Sequence, residues 1–528
     1  MATDTTQISI QARRAFEAQD WATLKARADE IIRREPDNPE GYFLSGLAHK
    51  ISKRPKECIE LFEKALALDS TRYDAAIELA NQYTILRRNG EAAKLLKKYQ
   101  DSLSNSPLYL DMAGTVYSNI GMVQEAWPLF KKANELQPGI DRFQANLAAC
   151  GVYLGKIEET EEIYRALLKR FPGHRLNHYE LSRLKKAKDY SHIEQMKEIL
   201  RNSGETPDKH IFLYYAIGKE LEDLEQWDES FDYYRKAGDA VCSVADYDVA
   251  EEVEFIDTIM EVCNSDWLED SMDAIPASAT EKTPIFIVGL PRTGTTLTER
   301  IVSSHSRVVS LGETTFIQMI LRRESDIPGS KHMNWPDMIR SVAAKDIRLL
   351  AKGYMDAVEY RLGEEPMFID KAPFNFLYVG FIAKAWPEAR IVHLVRNPMD
   401  SCFSMYKQVF TWAYRFSYSL DGLGRYFVAY DRLRKHWQTI LGDRLIEVEY
   451  EALVADPEGQ TRRLLDRLGL EFEQACLDFD RNKTPSTTAS SVQVRKKVYR
   501  SSVNKWTRFA RQLQPLRDHL ERAGIQVE

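Results

Sequence analysis

The sequence predicts an α-helical repeat solenoid followed by an α/β domain on a mostly parallel sheet. Three observations predict it. Helix-closing residues recur at one spacing through the first half. After Cys263 the pattern changes to short apolar strands alternating with helices. A Gly/Thr-rich loop then lies between a strand and a helix.

The repeat comes first. Pro36, Ser70, Ser104, Pro138 and Pro172 stand 34 residues apart, and each closes one amphipathic helix before the next begins. Two helices per 34 residues is the tetratricopeptide (TPR) period. The unit before Pro138 has small residues, Gly114 and Ala126, where two helices approach, and Tyr117, Phe130 and Ala133 supply apolar contacts. Gly46, Cys58, Phe62 and Ala65, then Ala80 and Ala92, take matching steps. Ala148 and Tyr164 follow, and a later match runs through Gly218, Tyr234 and Ala237. Residues 175–208 keep the helical period but fit the pattern poorly. Stacked units of this kind bury one another's faces and leave a concave surface. That surface is expected to bind a protein or peptide, or to mediate self-association.

The expected division is 1–263 helical repeats, 264–283 linker and 284–528 second domain. The linker, NSDWLEDSMDAIPASATEKT, is acidic and then small and polar. Beyond it, strands are expected at Pro284–Gly289, Met367–Ile369, Arg390–Val395 and Arg444–Val448, with helices between them. Continuously apolar strands in that setting belong to a parallel sheet covered on both faces.

Composition narrows the function classes. A chain of 528 residues exceeds one ordinary core. Its net charge of -7 and pI near 5.9 speak against a global nucleic-acid surface. The six cysteines are scattered singly with no CxxC pair, so no metal site or disulfide framework is expected, and a reducing, cytoplasmic setting fits. The first residues, MATDTTQISIQARRAFEAQD, lack the apolar core of a signal peptide, and no 18-residue apolar run occurs. No membrane association is expected.

The segment PIFIVGLPRTGTTLTERIV carries the chemistry. A buried strand enters Gly289–Thr296 and leaves into a helix. Gly294 lets the backbone approach an anion, Thr293, Thr295 and Thr296 supply hydroxyls, and the helix start presents free N–H groups. Arg292 adds a planar guanidinium fork. The usual loop lysine of nucleoside triphosphatases is replaced by Thr295. About a hundred residues on, strand Arg390–Val395 ends at Arg396, Pro398 starts a helix and Ser404 follows on it. An arginine at a strand end with a helix hydroxyl is a sensible second phosphate clamp, although Arg396 has Asp400 as a competing ion-pair partner.

PRTGTT resembles the 5'-phosphosulfate loop of sulfotransferases that use 3'-phosphoadenosine-5'-phosphosulfate (PAPS, giving PAP). Arg396 with Ser404 resembles their 3'-phosphate site. The resemblance runs from about Thr283 to Phe509 and is nearest to tyrosylprotein sulfotransferases and bacterial TPR-linked sulfotransferases. It implies an α-helical TPR solenoid followed by an α/β P-loop-like sulfotransferase domain. By this resemblance LGET puts Glu313 in the place of the catalytic base, DKAPF puts Lys371 in that of the lysine assisting transfer, and EVEYEALVAD sets Tyr450 near the cofactor. Ser490 falls at a transition-state serine and Lys505 at a phosphate-contacting lysine. PAPS and a hydroxyl acceptor are the expected partners. A peptide tyrosine, a saccharide and a small molecule are all open as acceptors, and no metal or nucleic acid is expected. The chain departs from the tyrosylprotein branch in reading DKAPF for Lys-Asp-Pro, in offering Lys407 or Gln408 for an arginine after Ser404, and in lacking, in the segment after Glu313, the arginines that bind acidic peptide acceptors in that branch. Two other readings compete: a P-loop kinase or phosphotransferase, and a TPR scaffold with an inactive sulfotransferase-like domain. His305 is a rival base better read as structural, and His393 sits within an apolar strand.

Overall fold

A computed structural model describes residues 5–103, 105–270, 282–327, 334–410, 413–482, 484–488, 491–495 and 502–528. It divides into two compact units, Met1–Leu154 and Gly155–Glu528.

The first unit is helical. Helices Trp21–Arg34, Pro55–Leu68 and Val123–Leu136 each end two residues before Pro36, Ser70 and Pro138. Proline occupies the first turn of Pro39–Ile51, Pro55–Leu68 and Pro107–Asn119, where its missing N–H costs no hydrogen bond. The small residues mark close crossings. A Cβ on Gly46 would lie 2.4 Å from the Phe62 ring, and one on Gly114 would lie 2.8 Å from that of Phe130. Each glycine sits sixteen residues before its aromatic partner, so one packing rule is written twice.

The second unit opens with more helices. Residues 175–208, a poor fit to the repeat, still fold as helices Arg175–Leu184 and Ser191–Asn202. The hairpin Ile211–Asp223 and Trp227–Cys242 repeats the earlier rule: a Cβ on Gly218 would lie 2.8 Å from the Tyr234 ring. Helix Val249–Val262 and a short helical turn, Ser265–Glu269, follow; residues 271–281 of the expected linker lie outside the described residues.

Five parallel strands come next: β1 (Thr283–Gly289), β2 (Val308–Ser310), β3 (Met367–Lys371), β4 (Arg390–Val395) and β5 (Leu445–Glu449), in spatial order β2-β3-β1-β4-β5. Four of these lie within a residue or two of the expected strands. β2 was not expected, because three residues are too few to show a pattern. The chain builds outward from β1 to β2, returns through β3, then crosses to β4. Connections therefore diverge on either side of β1, and ligands bind at the carboxyl edge of such a point. Ile285, Ile287, Val392 and Leu394 are fully buried on one face of the sheet, and Phe286, Phe368 and Ile391 on the other. Among the described residues, no helix is long and apolar enough to cross a membrane.

Candidate active site

Every strand delivers something at the carboxyl edge of the sheet. β1 enters the loop that ends at helix Thr295–Ser303, whose N-cap is Gly294. Gly294 has φ 104° and lies against Tyr450, where a Cβ would approach a ring carbon to 2.6 Å. Arg292 also takes a left-handed conformation, φ 68°. Such a conformation is uncommon for a residue with a side chain, and the surroundings hold it. The Thr293 hydroxyl donates to the Leu290 carbonyl at 2.7 Å and tightens the turn. Thr295 and Thr296 are buried in the first turn, and Thr296 donates to Thr488 at 3.3 Å.

Arg396, just beyond β4, joins the predicted second clamp to this loop. Its Nη1 donates to the Arg292 carbonyl at 2.8 Å and to Ser404 Oγ at 3.3 Å, and its Nη2 donates to the Ser502 carbonyl at 2.6 Å. The guanidinium lies 4.7 Å from the centroid of the Tyr450 ring, a cation–π distance, and the Tyr450 hydroxyl is 2.7 Å from Ser502 Oγ. The predicted rivalry of Asp400 resolves otherwise. Asp400 is 3.9 Å from Arg396, while its two oxygens accept from the backbone N–H groups of Asn504 (2.6 Å) and Trp506 (3.0 Å). It therefore ties residues 504–506 down beside Arg396.

β2 and β3 supply an acid–base pair. The Lys371 side chain is fully buried, and its ammonium donates to Glu313 Oε1 at 2.5 Å. Glu313 keeps 40% of its side chain exposed. It does not cap the next helix, Phe316–Glu324, whose N-cap is Thr315. Two backbone bonds fix its loop to β3, Leu311 N–H to the Ile369 carbonyl and Lys371 N–H to the Gly312 carbonyl. Beneath it, Asp370 accepts from Thr314 at 2.6 Å and from Tyr354 at 2.7 Å. Burial pushes the Asp370 carboxyl up to about 6 against the pull of those two donors.

Residues 284–474 match the model of the sulfotransferase family. This segment is a sulfotransferase domain. Residues 39–72 match the model of a tetratricopeptide repeat. An uncharacterized protein of Aquifex aeolicus is 30% identical over 444 residues, which is 83% of this chain and 57% of that one. Protein-tyrosine sulfotransferase 1 of Danio rerio is 27% identical over 234 residues, 42% of this chain and 65% of its own. The solved sulfotransferase domain of the Synechococcus PCC 7002 olefin synthase has 19% identity and a TM-score of 0.32, covering 44% of this chain and 90% of that one. The chain spans less than two thirds of the length of either relative.

The sulfotransferase domain thus gathers Arg292, Thr293, Gly294, Thr295, Thr296, Arg396, Ser404 and Tyr450 around one loop, with Glu313 and Lys371 as a pair at the same sheet edge. Lys505 forms an ion pair with Glu222. Ser490 lies outside the described residues. His305 is structural: Nδ1 accepts from Arg307 N–H at 3.1 Å, and Nε2 is 3.0 Å from the Glu471 carbonyl. His393 is fully buried in β4, its Nε2 2.9 Å from the Tyr430 hydroxyl.

Glu299 is a residue that the motif reading passed over. It sits on the loop helix, nearly buried, with one oxygen 3.6 Å from Lys371 Nζ and the other accepting from Ser310 at 2.6 Å. The signal was available: four residues after Thr295 it shares a helix face with the loop, and a charge on that face of a covered helix needs a partner. Arg300 was also missed. It binds Asn482 and Thr484 and fastens the segment that leads to Thr488.

Proposed function

We propose that this chain transfers the sulfuryl group of PAPS to an acceptor hydroxyl. One observation carries the reading: Arg396 spans from the carbonyl of Arg292 to Ser404, so a 5' anion loop and a second phosphate clamp form one scaffold. A single-ended nucleotide has no use for the second seat, whereas PAPS carries phosphate at both ends.

The residues present fit the donor. Gly294, at φ 104°, caps the helix start without a side chain, and the Tyr450 ring takes the space its Cβ would need. Arg396 Nε is buried with no partner among the described residues, so its guanidinium retains a donor to offer. The donor set is guanidinium, hydroxyl and helix N–H, which suits phosphate and sulfate oxygens.

PAPS, when bound, supplies the activated sulfuryl group. Arg292, Thr293, Gly294, Thr295 and Thr296 hold its 5' end, while Arg396 and Ser404 hold its 3'-phosphate with Tyr450 behind them. Glu313 would accept the proton of the acceptor hydroxyl as that oxygen bonds to sulfur and the bond from sulfur to the 5'-phosphate oxygen breaks, releasing PAP. Lys371 sets the orientation of Glu313 and stabilises charge on the sulfuryl oxygens. Glu299 and Asp370 hold this pair in place, Glu299 through Lys371 and Asp370 through Thr314.

Calorimetry with PAP, ATP–Mg and 5'-AMP tests the donor. The expected result is micromolar binding of PAP, unmatched by 5'-AMP and at least tenfold weaker in Arg292→Ala and Arg396→Ala. Binding of ATP–Mg without PAP would replace this reading with phosphotransfer.

A further inference from the structure

The helical segment before the sheet reaches into the donor site through one carboxylate. Glu222 lies on helix Ile211–Asp223 and is 7% exposed. Its Oε1 accepts from Lys407 Nζ at 2.8 Å and pairs with the ammonium of Lys505. Its Oε2 accepts from the Tyr234 hydroxyl at 2.9 Å. Tyr234 is itself fixed, because its ring fills the space left by Gly218. The carboxylate is therefore held by the next helix of its own hairpin and spends its other oxygen on two lysines from elsewhere in the chain.

Both lysines border the phosphate clamp. Lys407 closes helix Pro398–Tyr406, three residues after Ser404, and its ammonium lies 5.0 Å from the centroid of the Phe403 ring. Lys505 follows Asn504, whose N–H is held by Asp400, and keeps a third of its side chain exposed. The hairpin carrying Glu222 packs on this same helix. Phe231 stacks on Tyr406 with centroids 5.7 Å apart, Tyr215 donates to the Tyr406 carbonyl, and Tyr234 meets Phe403 edge-on.

We propose that Glu222 is a positioning residue of the donor site, holding the ammonium groups of Lys407 and Lys505 beside the phosphate clamp. The inference rests on the PAPS reading above. It gives the repeat-like hairpin a part in donor recognition that is distinct from docking a protein. It also gives a part to Lys407, which with Gln408 stands where the resemblance implies an arginine. A lysine buried at that point stays charged only with a counter-ion, and Glu222 provides one.

Titration supports the geometry. Lys407 faces Glu222 from the hairpin, with Tyr234 bonded behind that carboxylate, Lys505 from beyond Asn504 and Arg292 from the donor loop. Burial pushes it down to about 8, with Lys505 and Arg292 adding to the fall and Glu222 opposing it. Burial works against the Glu222 carboxylate as well, but Lys407 and Lys505 overcome it and hold it at about 2. Glu222 therefore stays ionised across the working range, while Lys407 loses its proton as pH rises through 8. Without Glu222 the proton leaves at lower pH.

The test is PAP affinity by calorimetry at pH 7.5 and pH 9, a range in which both phosphates of PAP are already fully ionised. A group with a pKa of about 8 that must be protonated for binding weakens affinity about eightfold over that interval. The expected results are that loss in the wild-type protein, at least tenfold weaker binding by Glu222→Gln at pH 7.5, and a flat profile in Lys407→Met. Tyr234→Phe keeps the ring and the Glu222 charge but loosens the carboxylate, so it should weaken PAP binding at pH 7.5 by less than Glu222→Gln does, and it covers the case in which Glu222→Gln does not fold. Glu222→Gln binding PAP as tightly as wild type at pH 7.5, or Lys407→Met retaining the alkaline loss, would overturn the proposal while leaving the donor reading intact. A wild-type protein that binds no PAP would instead remove the donor reading itself.

Discussion

Lys371 has no exposed surface, yet it carries a charge, and both of its partners are carboxylates. A buried ammonium is tolerated only when paired, so Glu313 and Glu299 are as much a condition of its burial as it is of their orientation. The division of labour follows from exposure. Glu299 is enclosed and holds Lys371, whereas Glu313 is 40% open and can meet an acceptor. Glu313→Gln should lower turnover of PAPS by about 10²–10⁴-fold, the usual range for a lost general base. PAP affinity should stay within twofold. Rates measured on a panel of phenol, saccharide and alkyl-alcohol acceptors check this, and near-normal turnover would remove Glu313 from the base role. At this scale the sequence was legible where a motif fixed the residue by its neighbours, as at Arg292 through Thr296 and at Arg396. It was not legible for Glu222, and for Glu299 it showed the helix face but not the partner. Each acts through a partner far along the chain, and only the folded arrangement brings the two together.

Elements were easier to read than side-chain partners, because periodicity is a local property. The glycines of the helical hairpins show this. Gly46, Gly114 and Gly218 each precede an aromatic residue by sixteen positions and let that ring press onto the helix backbone. Gly114→Ala should cost about 1–3 kcal/mol, the ordinary penalty for overpacking, because its new Cβ would stand 2.8 Å from the Phe130 ring. Denaturant unfolding of the full chain measures it, and a change below 0.5 kcal/mol would mean that the helices slide apart freely. Strand β2 escaped the sequence because its three residues pair only with β3 and carry no alternation to detect. The loop after it was nevertheless readable, since Gly312 and Glu313 belong to a motif and not to a pattern.

The whole molecule is less separable than its sequence pattern. An acidic and then small-residue stretch marks the change from helices to sheet. Even so, the compact unit that holds the sheet begins at Gly155 and includes the helices from Ile157 onward. Phe403, Tyr406 and Phe509 are covered by Phe231, Tyr234 and Trp227 of the helical hairpin. A fragment of residues 284–528 would expose that aromatic face, and burial of aromatic surface of this size dominates core energetics. The fragment should aggregate or melt without a cooperative transition, while the full chain melts cooperatively. A soluble fragment binding PAP within twofold of the full chain would contradict this. Composition could not reveal this dependence, because it lies in contacts between segments far apart in sequence. The bond from Arg396 to the Arg292 carbonyl has a consequence of a different kind. On the proposed reading, it would set the two anion seats at a fixed separation. A nucleotide charged at both ends then binds as a two-point ligand: once one end is held, the other meets its seat at a high effective concentration and not by a second search through solution. Two separate monophosphates could not reproduce that advantage, however high their concentration, so selectivity for the proposed donor would lie in the spacing of the seats as well as in the strength of either one.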